Sequence, residues 1–350
     1  MIDSIVSTPA PVLLPDWLMR CAENFPDRLA LYFGPFSWSF AELDRQVTRL
    51  AQQLASLGIA EGMRVALLAG SGLPYVVCVH ALMRLGAVLV PLNVRLTLEE
   101  LCWQLNDVRP ALLISDEGYQ GRLTEISQRL TDLPTLSLSV VHQDEDVLLC
   151  HLPLKEVPLR QEIDLSAIQA IMYTSGTTGQ PKGALITFGM QWWNAVGSAL
   201  NMGHNPEDRW LACMPLFHVG GLSILMKSVI YGIGVVLHER FDPAAVNAAI
   251  VNQRVTIISV VAVMLQRMLA ELEKTGAETS YPETLRCVLL GGGPAPRVLL
   301  EACRDKQIPV VQTYGLTESC SQAVTLTSAD ALRKLGSAGR PLPPVQLRIV

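Results

Sequence analysis

The sequence lacks any excess of basic charge: 27 Lys and Arg stand against 32 Asp and Glu, a net charge of −5. A nucleic-acid surface needs the opposite balance, so an anionic ligand would be held by local groups rather than by a global field. The N-terminal residues also do not read as a secretory leader, and secretion is not expected. No basic segment precedes a long apolar run, and Asp3 stands where a signal peptide avoids acid. The eight cysteines contain no Cys-x-x-Cys and mostly sit inside apolar runs, which suits reduced, buried thiols of a cytoplasmic protein rather than zinc or disulfides. Finally, no hydrophobic stretch runs unbroken for the length of a membrane span. Half the residues are hydrophobic and mean hydropathy is +0.32, but Gly70-Ser71-Gly72 and Pro74 cut the window 65–83. Pro215 and Gly220-Gly221 likewise break the window 210–226 before Lys227 stops it. Such short apolar runs predict a buried parallel sheet.

What is present is a βαβ rhythm, in a chain long enough for two subdomains and the start of a third. Residues 43–57 have helical apolar spacing, and 65–68 and 87–92 read as strands. Residues 115–165 are more polar and include Gln143-Asp144-Glu145-Asp146, so they predict a connection, with a boundary near 165. The rhythm then resumes. Strands are expected up to Tyr173 and over 210–213, 234–237, 255–259, 287–290 and 309–312. Helices are expected over 190–200, after Gly221, and over 243–252 and 264–272. Residues 345–350 alternate like a strand and stop there, from which an N-terminal fragment of a longer protein is expected. No internal repeat or low-complexity tract is apparent.

The densest chemical signal is YTSGTTGQPKG, residues 173–183. Ser175, Gly176, Thr177, Thr178 and Gly179 can turn several backbone N–H groups and three hydroxyls onto one anion, and Lys182 adds a positive charge. The spacing is not that of a Walker A loop, because Pro181 precedes the lysine and Gly183 follows it. Two further strand ends carry polar or flexible groups: Gly291-Gly292-Gly293, and Tyr314-Gly315-Leu316-Thr317-Glu318. Glycines at the carboxyl ends of parallel strands are where such sheets bind ligands. Tyr314 could stack on a base, Thr317 could donate to a phosphate and Glu318 could hold magnesium; a core aromatic and a helix-start acid are the bland readings of Tyr314 and Glu318. His218 lies in an apolar stretch and could equally be a satisfied core histidine. Lys227 is the only charge between Arg209 and Glu239, and its bland reading is a lysine snorkelling to the surface.

Taken in order and spacing, YTSGTTGQPKG, PLFHVGG at 215–221, GGGPAP at 291–296 and YGLTES at 314–319 resemble the adenylate-forming acyl-CoA synthetases, over essentially the whole chain. The resemblance implies two parallel-sheet-based αβαβα subdomains, over 1–165 and 166–325, with 326–350 starting a β-rich third. It implies that a substrate carboxylate attacks the α-phosphorus of Mg-ATP and that coenzyme A then displaces AMP to give a thioester. The implied partners are a small-molecule carboxylic acid, ATP and coenzyme A, with Mg2+, no nucleic acid, no transmembrane segment and room for a homodimer.

By the same resemblance, Thr174 to Lys182 would orient the β- and γ-phosphates, Thr317 would contact the α-phosphate and Glu318 would bind the metal. Gly292, Gly293, Thr313 and Tyr314 would frame the adenine, and His218 would sit beside the acyl carboxylate. The stretches MPLFHVGGLSILMKSVIYG and LRCVLLGGGPAP are most like members that activate an aromatic dicarboxylic acid. There Lys227 would meet the second carboxylate, with Ser259 as a further pocket residue. Another fatty-acyl or aryl acid ligase, and a ligand-binding fragment without catalysis, are the alternatives. The ribose-binding aspartate, the hinge and a C-terminal domain with a catalytic lysine are expected after Val350. Phe188 departs from the histidine that many relatives carry after the phosphate loop.

Overall fold

The computed structural model describes residues 10–141, 146–148, 152–154, 156–174, 180–275 and 280–349. Among them, seven strands form one sheet in the order Lys182–Thr187, Ile168–Thr174, Val88–Pro91, Arg64–Leu68, Leu112–Asp116, Thr135–Val141, Asp146–Leu148. Nine form a second, in the order Arg340–Pro341, Ser321–Leu326, Val310–Leu316, Cys287–Gly291, Ile257–Val261, Arg209–Ala212, Gly234–Leu237, Leu29–Phe33, Phe36–Ser39. The central strands of both are parallel; the outermost pairings, and the pairing of Val310–Leu316 with Ser321–Leu326, are antiparallel.

Alternation along the central strands assigns each face. Val65 and Leu67 join a buried cluster with helix residues Val77 and Leu225 and with Trp210 and Ile257 of the second sheet, while Ala66 and Leu68 face a different cluster. Leu211, Ile258 and Val260 face a third. Burial on both faces explains why these strands read as continuous apolar runs. The result is five layers, with helices such as Leu73–Leu85 and Val219–Tyr231 lying between the sheets and others outside them. The apolar window after Pro74 is therefore a core helix of 13 residues, buried nearly all round and closed by Gly86 at φ 67°. Among the described residues no helix is long and apolar enough to cross a membrane. The seven described cysteines are buried.

Several expectations need correction. Residues 115–165 are not merely a connection: the helix Gln120–Arg129 and the strand Thr135–Val141 extend the first sheet. That helix buries only Leu123 and Ile126, too few apolar positions to show a period. The acidic stretch at 142–145 lies outside the described residues. The sheets also exchange strands across residue 165: Ile168–Thr174 and Lys182–Thr187 complete the first, and Leu29–Phe33 and Phe36–Ser39 the second. The strand expected from 255 begins at Ile257, after Arg254 turns the chain at φ 51°. Residues 345–349 form no strand. Arg340–Pro341 adds a last edge to the second sheet, and Pro341, Pro343 and Pro344 lack the N–H groups that would carry the ladder further.

Candidate active site

A cavity of about 780 Å3 opens where the two sheets meet, at the carboxyl ends of the strands of the second. Thr174 and Lys182 enter it as register partners on the antiparallel pair of the first sheet. From the second come Ser259, Gly292, Thr313, Thr317 and Glu318. His218, at the N-cap of the helix Val219–Tyr231, and Lys227, within that helix, also line it. Nine of the residues singled out from the sequence thus share one cleft.

Two other residues singled out from the sequence do not line it. Tyr314 is 47 % exposed, because strand alternation puts it on the opposite face from Thr313. Gly293 has nothing within 4 Å of where a Cβ would stand and lies outside the lining. Ser175, Gly176, Thr177, Thr178 and Gly179 lie outside the described residues.

Glycines permit the close approaches that shape the walls. At Gly315 the strand bulges, and a Cβ there would fall on the Ser321 carbonyl oxygen of the paired strand. The strand expected over 309–312 runs from Val310 as far as Leu316, followed by a tight 3-10 turn over Thr317–Ser319. The helix expected after Gly221 starts instead at Val219, with Gly221 in its first turn, where a Cβ would collide with the Pro215 carbonyl oxygen.

The cavity is polar at two places. Toward the phosphate loop, the Thr174 hydroxyl donates to Glu318 Oε1 at 3.4 Å. His218 caps the helix Val219–Tyr231 without a side-chain capping bond, and its exposed ring lies 4.5 Å, centroid to centroid, from that of Phe217. Desolvation by the walls, then the charge of Arg95, hold its imidazole below the ordinary value. Roughly 13 Å further along the helix, from its rise of 1.5 Å per residue, stands Lys227. It is 2 % exposed and has no carboxylate within ion-pairing distance among the described residues. Burial lowers its ammonium to about 8, against a small opposing effect of Cys320.

The same burial raises the Cys320 thiol to about 12. A buried cation without a protein anion among the described residues is chemically suited to meet a guest's negative charge. Trp210, Met214 and Gln322 also line the cavity and were not singled out from the sequence, where each reads as core or loop. Only Lys227 hinted at a polar interior, as an isolated charge in an apolar run.

The model of the AMP-binding enzyme family matches residues 18–350. A 2-succinylbenzoate–CoA ligase of Geobacillus sp. (strain WCH70) is 46% identical over 336 residues, covering 96% of this chain and 65% of that protein. Its counterpart in Geobacillus kaustophilus (strain HTA426) is 49% identical over 337 residues, with the same coverage. Among solved structures, the o-succinylbenzoate CoA synthetase of Bacillus subtilis in complex with its acyl-adenylate intermediate superposes with a TM-score of 0.86 at 42% identity, over 95% of this chain and 65% of that one. The same enzyme in complex with ATP and magnesium ion also gives 0.86, at 42% identity, over 95% of this chain and 66% of that one. The N-terminal domain of FACL13 from Mycobacterium tuberculosis gives 0.84 at 30% identity, over 94% of this chain and 83% of that one. The chain thus spans about 65% of the length of the curated relatives it matches.

Proposed function

The chain belongs to the AMP-binding enzyme family, and from that premise we propose that it activates a dicarboxylic acid, o-succinylbenzoate, as its acyl-adenylate from ATP. The reading places it before thioester formation with coenzyme A, in menaquinone biosynthesis, and its buried thiols favour a cytoplasmic setting. One observation carries the proposal: a single cavity joins a phosphate-loop end, with Thr174, Lys182, Thr317 and Glu318, to a buried lysine that has no anion of its own.

Attack of a carboxylate on the α-phosphorus brings two anions together, so positioning and charge stabilisation matter more than proton transfer. On this reading Lys182 and the neighbouring loop hold the β- and γ-phosphates, Thr317 donates to the α-phosphate, and Thr313 and Gly292 border the purine while Tyr314 is free to stack at the rim. His218, neutral near pH 7 because its imidazole is held down, can lie beside the acyl carboxylate without trapping it as an ion pair. Lys227 and Ser259 receive the second carboxylate.

The donor set suits magnesium. No group of three or more His, Cys, Asp or Glu among the described residues builds an all-protein cage. Mg2+ needs none, since one carboxylate such as Glu318 with phosphates and waters completes its shell. When bound, the ion would draw off charge developing on the phosphates.

Because the chain spans about 65% of its relatives' length, adenylate formation is the half-reaction to test on it first. Incubation with ATP, Mg2+ and either o-succinylbenzoate or a long-chain fatty acid, read by pyrophosphate release and by mass of the adenylate, should give product with the dicarboxylate alone. Equal turnover of the fatty acid would replace this reading with that of a fatty-acyl ligase.

A further inference from the structure

The polar groups deep in the cavity meet on one side chain that the mechanism above does not use. Trp210, 1 % exposed, lies on the strand Arg209–Ala212 and faces the inner layer. Its indole Nε1 donates to Ser259 Oγ on the adjacent parallel strand at 3.0 Å. Its ring face stands 5.4 Å from Lys227 Nζ.

Both contacts have consequences for a guest. An indole N–H can only donate, so it commits the Ser259 oxygen to accepting and leaves the hydroxyl proton to be given away. That proton has no acceptor among the described residues, although Ser259 is 6 % exposed. The ring face, carrying partial negative charge, sits within the range at which it attracts an ammonium, and no carboxylate among the described residues competes for Lys227. Two donors, both buried and both lacking an anion, are thereby fixed by opposite features of one aromatic side chain. A carboxylate has two oxygens to offer them.

We propose that Trp210 is a positioning residue that determines specificity for the second carboxylate of the substrate, aiming the Ser259 hydroxyl with its N–H and seating the Lys227 ammonium with its face. This rests on the acid-activating reading above and names what sets its choice of acid. Phenylalanine would keep the face and lose the aim.

Calorimetric binding to the 350-residue chain separates the two ideas. The ligands are o-succinylbenzoate and 4-oxo-4-phenylbutanoate, which lacks the ring carboxylate. In Trp210→Phe the dissociation constant for the dicarboxylate should rise on the order of tenfold, the scale of a lost hydrogen bond to a charged group, with the monocarboxylate changed by less than about twofold. Ser259→Ala should give the same rise, and the double variant should be no worse than either single one, since Trp210 acts through Ser259. Additive losses, an equal loss for both acids, or wild-type binding by Trp210→Phe would each overturn the proposal.

Should Trp210→Phe fail to fold, the wild-type chain still decides: the indole N–H resonance, assigned through Ser259→Ala, should move on adding the dicarboxylate and stay still with the monocarboxylate. An unmoved resonance with both acids overturns the proposal. If the wild-type chain does not prefer the dicarboxylate at all, the parent reading fails and this one with it. If it does prefer it, and Lys227→Met removes the preference while Trp210→Phe does not, only the role of Trp210 falls.

Discussion

Thr174 ends a strand of the seven-stranded sheet, Glu318 lies in the 3-10 turn that follows a strand of the nine-stranded one, and the threonine hydroxyl donates to the carboxylate Oε1 at 3.4 Å. The bond is long and exposed, so it contributes little to stability. Its importance is where it puts the carboxylate: at the seam between the sheets, in the same cavity wall as Lys182 and Thr317.

Glu318→Gln keeps the shape of the side chain and removes its charge. Adenylate formation should fall by about 10²-fold, the scale of one preorganised electrostatic group, and its dependence on Mg2+ should weaken, while the melting temperature stays within a degree or two. Pyrophosphate release across a magnesium titration reads both effects; unchanged turnover would remove Glu318 from the site.

On the proposed reading, Lys227 should make the affinity for a dicarboxylate depend on pH. Its ammonium is lowered to about 8 by burial, so the cation is present below that value and is lost as pH rises through it. Binding of o-succinylbenzoate should therefore weaken above about pH 8, and in Lys227→Met it should be weak and flat across that range. Stability runs the other way. Between about 8 and the ordinary lysine value of 10.5, the unfolded chain binds the proton that the folded chain has released, so stability of the empty protein should rise with pH there. Melting curves of both forms from pH 7 to 10 test the sign.

His218 is held below its ordinary value of 6.5 first by desolvation and then by the charge of Arg95. If the neutral imidazole supports adenylate formation, the rate should climb with pH below 6.5 and be level at 7. Arg95→Gln should move the inflection upward, toward 6.5. His218→Ala should lose the inflection with little change in stability, since the ring is exposed and makes no capping bond.

Two glycines give a stability contrast. Gly315→Ala would drive a Cβ into the Ser321 carbonyl oxygen and should cost on the order of 3 kcal/mol or more, as forced backbone displacement does. Gly293→Ala meets open space outside the cavity lining and should melt like the parent. Thermal denaturation of the pair checks the bulge directly.

Much of the architecture is legible in the chain because it depends on near neighbours. The helix Pro243–Asn252 lies where it is expected, and its start is local: Asp242 accepts from the Ala245 N–H and proline occupies the first turn. The strand Gly234–Leu237 was bounded by its apolar run. Within the described residues, the motifs at 174, 182, 218 and 317–318 were visible as clusters of hydroxyl, charge and imidazole out of place in apolar surroundings. Gln120–Arg129 escaped notice because two buried residues make no period.

By itself, then, the order of residues determined the alternation of strands and helices, the hydroxyl- and glycine-rich stretch before Lys182 and the isolated lysine, since each is written in spacings of a few positions. Only the tertiary structure decided that Ile168–Thr174 would finish one sheet while Leu29–Phe33 finished the other, and that the cleft would open between them. It alone decided that Trp210, in sequence one more core aromatic, would stand between Ser259 and Lys227. The reason is that strand order and side-chain convergence depend on packing between segments far apart along the chain, where local propensity exerts no preference.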